Sequence, residues 1–335
     1  SLPSPTDPAL LALFTGTFMD NGQNLSAFLT DITTMGTAII GVKFTNVVLD
    51  SIDAAGTIAQ VHFTPIIASG GGVETMGWQM KKDAASGIWQ FDGNLRPVWV
   101  GINTVAIKDT CNPANTACTM ATAYGTGLHL DINNDAMQPV GSVLVTGPGL
   151  PAGGVTLVAQ ANQTWFNITT TNAQNMPSCA GCTMGNYWLM TDAEIAAVLP
   201  NSVYTITLYD LVGVAIPGAI YTEVVPVAPV LNTAKATLAY PSLSGMVNLN
   251  GIGAATLTPS WSIPTGLWAR YLDIYVWQSV TNANQNVEQN NMTSSTGTAS
   301  LVITAPPSGG TWSGGGYSIS ARDQYRGEVN TRYTN

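Results

Sequence analysis

The chain has 335 residues, of which 45% are hydrophobic and only 9% are charged, and its formal net charge is −9. Charged residues make up about 25% of a typical soluble domain, so neutral hydrogen-bonding side chains must form most of this surface. No Lys or Arg occurs between Lys108 and Lys235, which argues against a nucleic-acid partner because phosphates need cationic side chains. No stretch approaches the ~20 apolar residues of a membrane-spanning helix, so we predict no membrane span.

The first 110 residues combine helix and strand signals. Asp7 followed by Pro8 and an apolar turn predicts a helix start, and Leu25, Phe28 and Leu29 have the spacing of a second helix. Strand-forming runs follow at about 39–49, 58–64, 76–80, 88–91 and 98–107.

Two helices followed by a meander that ends in the tryptophan-bearing run 87–94 resemble the cone-shaped NTF2-like fold over about residues 8–108. That resemblance implies a cavity, in a fold that serves both enzymes and scaffolds.

Short strands dominate the rest of the chain. Six candidate strands between 121 and 226 are separated by turn clusters, as in a β-sandwich, and Thr191 with Glu194 forms a capping box that predicts one short helix. A linker at 224–229 is followed by a strand that bears Trp261, then by a strand at 271–277 with a strictly alternating side-chain pattern, and later by a Tyr-x-Ile-x-Ala strand. This order of strands resembles a fibronectin type III-like sandwich.

We therefore predict a mainly β, multidomain protein with an N-terminal α+β NTF2-like cone followed by two Ig/fibronectin III-like β-sandwiches. The predicted boundaries are 1–110 for the NTF2-like domain, 111–226 for an Ig-like sandwich with two Cys-bearing loops, and 227–335 for a fibronectin III-like sandwich. The runs 87–94, 145–151 and 189–195 together look like a group of uncharacterised exported proteins of Gram-negative bacteria. This resemblance implies an extracellular or cell-surface location, which we expect after removal of an export signal, and no known reaction.

The four cysteines form two close pairs in loops, and this pattern predicts two local disulfides in an oxidising compartment. The predicted disulfides are Cys111–Cys118 and Cys179–Cys182. The alternative is a zinc site, but six residues separate the first pair, whereas zinc knuckles use a spacing of about two to four. We predict no metal and no cofactor.

No catalytic residue is predicted, and we expect the protein not to be an enzyme. The only histidines, His62 and His129, lie in different predicted domains, and no GxSxG nucleophile motif is present. An acid/base group of His62, Glu74 and Asp92 in the NTF2-like cavity is the weaker alternative.

Our leading functional hypothesis is a structural subunit of an extracellular filament or cell-surface assembly, a homopolymer formed through strand-edge and head-to-tail contacts. Three arginines within eleven residues are predicted to contact an acidic surface of the next copy, and the N-terminal residues are predicted to dock onto a neighbour's open strand edge. The predicted contact residues are Arg322, Arg326, Arg332, Ser1, Leu2 and Pro3.

A second hypothesis is a surface adhesin or glycan-binding module that uses Trp-rich loops. Trp268 and Trp312 lie in turn-rich segments, and we predict that they are exposed and available to stack on a ligand.

Overall fold

The structure is a computed structural model that describes residues 4–35, 43–66, 76–134, 137–159, 164–172, 185–290, 292, 294–325 and 327–335. It is mainly β with several sheets, as predicted. None of the helices in the described residues is long and apolar enough to cross a membrane.

The N-terminal part begins with a short helix whose start was predicted correctly, since the Asp7 side chain accepts a hydrogen bond from Ala9 N at 2.8 Å. A four-stranded antiparallel sheet in the order β3-β4-β5-β6 follows, and aromatic rings from both helical and strand segments pack together, with Phe28 5.6 Å from Trp78. The elements are α1 (Pro8–Leu11), β1 (Met19–Asp20), β2 (Gln23–Asn24), α2 (Leu25–Met35), β3 (Lys43–Ile52), β4 (Ile58–Ile66), β5 (Met76–Lys82) and β6 (Trp89–Gly93).

The next strand, β7 (Trp99–Cys111), corrects one expectation. Residues 98–107 were predicted to continue the N-terminal sheet, but β7 pairs with β8 (Ala123–Asn133) and with the last strand of the chain, β23 (Glu328–Thr334). The physical reason is that eight consecutive residues of β7 are buried, so both of its faces must be covered. A central position in a larger sheet meets that need, and the NTF2-like cone itself stays a prediction.

The middle of the chain packs a five-stranded sheet, in the order β11-β10-β9-β13-β14, against β7, β8 and β12 over a shared apolar core. The predicted capping box is confirmed, because the Thr191 side chain accepts from Glu194 N and Thr191 N donates to the Glu194 carboxylate. The elements are β9 (Val140–Thr146), β10 (Val155–Ala159), β11 (Phe166–Ile168), β12 (Tyr187–Leu189), α3 (Asp192–Ala197), β13 (Ser202–Asp210) and β14 (Ala215–Val225).

The C-terminal part has its own apolar core, but it shares a seven-stranded sheet with the middle part, in the order β12-β8-β7-β23-β22-β18-β19. The two parts meet where β23 runs parallel to β7, from the pair Glu328 and Val105 to the pair Thr334 and Cys111. The domain boundaries stay a prediction. The remaining strands are β15 (Ser242–Ser244), β16 (Ala255–Leu257), β17 (Ser260–Ser262), β18 (Trp268–Gln278), β19 (Ala283–Asn290), β20 (Thr296–Thr298), β21 (Leu301–Ile303) and β22 (Gly314–Arg322).

One of the two predicted disulfides falls on described residues. Cys111, the last residue of β7, is bonded to Cys118 with a Cα–Cα distance of 5.8 Å, and the bond closes the loop after that strand. The second predicted pair, Cys179 and Cys182, lies outside the described residues.

Candidate functional site

A cleft of about 610 Å³ lies where the strands of the middle part meet those of the C-terminal part. Its floor is β8, on which His129, Asp131 and Asn133 occupy alternate positions and therefore share one face of the sheet. His129 and Asp131 are buried, whereas Asn133 is half-buried, and its side-chain amide donates to Asp131 Oδ1 at 2.9 Å. The floor therefore offers polar groups that are already oriented by one another.

The first wall comes from β11, β12 and the residues that flank them. Trp165 is 44% exposed and is held at the rim by a β-bridge to Asn133. Tyr187 stands opposite His129 on the neighbouring strand, with ring centroids 4.5 Å apart. The Oδ1 atom of Asn167 is buried and has no hydrogen-bond partner in the described part of the chain. This wall therefore presents two aromatic rings to the cleft, and the Asn167 side chain lies beside them.

The second wall comes from β18 and β19, through Arg270, Tyr271, Glu288 and Asn290. Tyr271 and Asn290 are directly opposite each other in the antiparallel ladder. The exposed Glu288 carboxylate accepts hydrogen bonds from the Asn290 and Asn286 amides, both at 2.9 Å. These amides fix the orientation of the carboxylate, which is open to a ligand.

A buried ion network beneath the floor joins the two halves of the sheet. Glu328, the first residue of β23, has a fully buried side chain, and its Oε1 atom contacts the guanidinium groups of Arg270 and Arg322. Its Oε2 atom lies 3.0 Å from His129 Nδ1, and Arg270 Nη2 lies 3.5 Å from Asp131 Oδ2. The Glu328 carboxylate on β23 thus contacts side chains of β8, β18 and β22. Of these strands, β8 forms the floor of the cleft and β18 contributes to its second wall.

The network sets the charge of its members. Burial favours the neutral acid of Glu328, but His129, Arg270 and Arg322 outweigh it and hold the pKa of this carboxyl well below its usual value. Burial also acts against a charged His129, but the Glu328 and Asp131 carboxylates outweigh it and raise the pKa of this imidazole. The Glu328 carboxylate therefore stays ionised at neutral pH, and its negative charge favours the protonated form of His129.

Asp273 adds a second carboxyl beside the wall formed by β18 and β19. It lies directly opposite Glu288 in the ladder, an arrangement that is unfavourable for two like charges. Burial, followed by the Glu288 charge, raises the pKa of Asp273 to about 7. Its Oδ1 atom has no hydrogen-bond partner within the described residues. The Asp273 carboxyl is therefore partly protonated near neutral pH and becomes fully charged only above it.

The chemistry of the cleft is that of a hydrogen-bonding site with aromatic surfaces. Amide, carboxylate and phenol groups alternate with exposed or half-exposed rings, and the volume is in the range of about 300–1,000 Å³ that buries a small ligand. Among the described residues, no group of three or more His, Cys, Asp or Glu side chains is placed to hold a metal ion.

The two tryptophans predicted to stack on a ligand have different positions. Trp312 is 1% exposed, and its indole Nε1 donates to Thr304 O at 2.9 Å, so the prediction that it is exposed is wrong. The turn-rich sequence around Trp312 places its ring in the C-terminal core, where its N–H finds a backbone acceptor. Trp268 is 39% exposed but does not line the cleft, and its role in stacking stays a prediction.

The arginines predicted to contact a second copy are paired inside the chain. Both guanidinium nitrogens Nε and Nη2 of Arg332 lie 2.6 Å from the Asp109 carboxylate, and Arg322 contacts Glu328 at 3.1 Å. Each of these two arginines therefore already has an acidic partner inside the chain, and their contact with a second copy stays a prediction. Arg326, Ser1, Leu2 and Pro3 lie outside the described residues.

The weak acid/base alternative in the N-terminal part is not assembled in the described residues. His62 Nδ1 lies 2.6 Å from Asp50 Oδ1, whereas Asp92 accepts hydrogen bonds from Thr17 and Gln79. Glu74 lies outside the described residues. His62 and Asp92 thus have separate partners.

Most cleft residues were not singled out in the sequence. His129 was treated as a strand residue, and Trp165 and Tyr187 were placed in predicted strands without a functional role. The segment that became β19 was not predicted at all. A usable signal was present in Asn284-Gln285-Asn286-Val287-Glu288-Gln289-Asn290, because uncharged amides with one acid, next to the strictly alternating strand β18, favour an edge strand that presents hydrogen-bonding groups.

No known protein family model matches this chain, and no curated protein matches it. Among solved structures, one that is similar is the tetra-tandem repeat in the extending region of a large adhesion protein. It is 12% identical, with 88% of this chain and 74% of that chain covered, and the TM-score is 0.19. At that TM-score the likeness assigns neither fold nor function to this chain.

Proposed function

We propose that this chain is a cell-surface or extracellular binding protein that takes a saccharide in the cleft and does not act as an enzyme. The observation that carries the proposal is the combination of an exposed ring at the rim, Trp165, with Tyr187, Tyr271 and a set of side-chain amides around one cleft.

Saccharides match this arrangement for two reasons. The C–H face of a sugar ring is apolar and packs on aromatic rings, which carry both an apolar body and, in Tyr and Trp, a polar group. Sugar hydroxyl groups both donate and accept, and amides and carboxylates offer both kinds of partner in fixed directions. The exposed Glu288 carboxylate is an acceptor placed for such hydroxyls.

A binding role rather than catalysis is supported by how the acids are held. Asp131 is occupied by Asn133 and Arg270, and Glu288 by two amides. A general acid or base needs a group that is free to exchange its proton with the substrate. An extracellular location is supported by the Cys111–Cys118 disulfide, which fits an oxidising compartment.

The test is saccharide binding by a Trp165→Ala variant. Wild-type protein should bind one or more oligosaccharides on a glycan array, and calorimetry should then give a dissociation constant. Removal of the Trp165 ring should weaken that binding about tenfold or more, because a stacked sugar covers this exposed ring and an aromatic anchor covered by its ligand is typically worth about 1.4 kcal/mol or more.

The matched control is Trp268→Ala, which removes an equally large and similarly exposed ring outside the cleft. It should leave the dissociation constant unchanged. Equal losses in both variants, or release of sugar product from the bound oligosaccharide, would contradict this assignment of the cleft.

A second candidate is the structural subunit of an extracellular filament or surface assembly. The observation that favours it is the outward face of β13 and β14, where Val203, Ile220 and Val224 are 52%, 60% and 47% exposed. Exposed apolar faces of this kind mark interaction sites. Electron microscopy of the concentrated protein tests this candidate, and it is abandoned if only discrete monomers are seen.

A further inference from the structure

We infer that the cleft selects neutral saccharides and excludes acidic ones, with Glu288 as the residue that enforces the choice. This inference rests on the proposed function, because it names the class of saccharide that the same site would take.

The first step concerns the cations of the cleft. Acidic sugars carry carboxylate or sulfate groups, which proteins bind with Arg or Lys side chains. Arg270 and His129 are the cationic side chains among the lining residues that the structure describes. Both face the fully buried Glu328, and Arg270 also contacts Asp131 while its guanidinium lies 5.3 Å from the Tyr271 ring centroid. The positive charges of Arg270 and His129 are therefore already compensated by carboxylates of the protein.

The second step concerns the anions. Asp131 and Glu288 both line the cleft. Glu288 is exposed there, held as an acceptor by two amide donors. An acidic sugar placed between these walls would meet carboxylates without a free cation, and like charges placed side by side at a binding surface weaken binding. A neutral hydroxyl, by contrast, donates to the Glu288 carboxylate.

The experiment compares matched oligosaccharides of equal length, one neutral and one acidic. Galactan and galacturonan oligomers with the same number of sugar units form such a pair. The wild-type protein should bind the neutral member at least about tenfold more tightly at low salt, and added salt should reduce this ratio because it screens repulsion. Glu288→Gln removes the charge while keeping a side-chain oxygen acceptor. It should bring the acidic member to within a few-fold of the neutral one.

The control variant is Glu223→Gln, which removes a carboxylate paired with Arg96 away from the cleft. It should leave the neutral-to-acidic ratio at the wild-type value, and thermal unfolding of each variant verifies that it is folded. Acidic oligomers that bind wild-type protein as tightly as neutral ones would overturn this inference alone. A wild-type protein that binds no saccharide of either kind would overturn the proposed function and the inference with it.

Discussion

The two large sheets of the molecule carry opposite kinds of side chain in rows that cross their strands. In the seven-stranded sheet, directly paired positions on β19, β18, β22, β23 and β7 form a polar row of Glu288, Asp273, Ser318, Arg332 and Asp109. In the five-stranded sheet, directly paired positions on β10, β9, β13 and β14 form a neutral row of Thr156, Leu144, Thr207 and Ile220.

The difference between the two sheets is one of charge placement. The seven-stranded sheet carries charged groups on the face that holds the cleft and the buried Glu328 network, whereas the outward row of the five-stranded sheet has only uncharged residues. On the face with the cleft, ion pairs such as Arg332 with Asp109 and Arg270 with Glu328 hold their side chains in fixed positions. The side chains of the neutral face are not held in this way. The choice of residue there is limited only by strand propensity and by contacts between side chains on neighbouring strands.

The strongest test of this contrast is Glu328→Gln. The change leaves Arg270, Arg322 and His129 without their buried counter-charge, so it should lower the free energy of unfolding by about 3 to 5 kcal/mol at pH 7. Urea denaturation measures the loss. Glu223→Gln, which breaks a single Glu–Arg pair in the five-stranded sheet, should cost about 1 kcal/mol.

The loss of stability in Glu328→Gln should depend on pH. Because the folded pKa of Glu328 is depressed, the stability that it contributes is present above its unfolded pKa of about 4.3 and is lost as the pH falls below that value. The gap between wild type and Glu328→Gln should therefore narrow at pH 3. A gap that stays constant from pH 7 to pH 3 would show that the charge of Glu328 is not what holds the two halves together.

The Glu328 network also marks the limit of what the sequence could predict. Strands β9 and β10 were predicted at their observed bounds because turn residues delimit apolar runs of strand length. Nothing local to Glu328 indicates that the last strand enters the sheet beside β7, more than 200 positions earlier. That placement depends on burying both faces of β7, and pairing of strands distant in sequence leaves no periodic signal.

The cleft was missed for a related reason. Its two walls come from segments separated by about a hundred residues, and β19 has few of the β-branched and aromatic residues that favour strands. The sequence also predicts one strand over 256–264, and this prediction is wrong. Thr258-Pro259 separates β16 from β17, since proline cannot donate to a ladder. Exposure of single tryptophans was no easier to predict, as the buried Trp312 shows.

A gain of stability is expected from Asp273→Asn, in the polar row. The folded pKa of Asp273, about 7, is raised above its unfolded value of about 3.9, so ionisation opposes folding as the pH rises between these values. The asparagine variant should be more stable than wild type by about 1 to 3 kcal/mol at pH 8 and equally stable at pH 4. Thermal unfolding at both pH values measures this. A variant that is less stable at pH 8 would mean that the Asp273 carboxylate has a partner that compensates its burial.

The smallest effect is expected in the neutral row, from Thr207→Lys on β13. Thr207 points outward between Leu144 and Ile220, and substitutions at surface positions without special contacts change stability by about 0.5 kcal/mol or less. The melting temperature of the isolated chain should therefore be unchanged, in contrast to the changes in the polar row.

The same lysine also tests whether this face contacts another copy, because a single charge on a strand face opposes close packing against an apolar partner. If copies associate through this face, sedimentation of the concentrated protein should shift from assemblies to monomers on introduction of Thr207→Lys, while saccharide binding in the cleft stays at the wild-type level. Assemblies that persist in the variant would exclude this face as the contact and leave the contrast between the two sheets as one of charge placement alone.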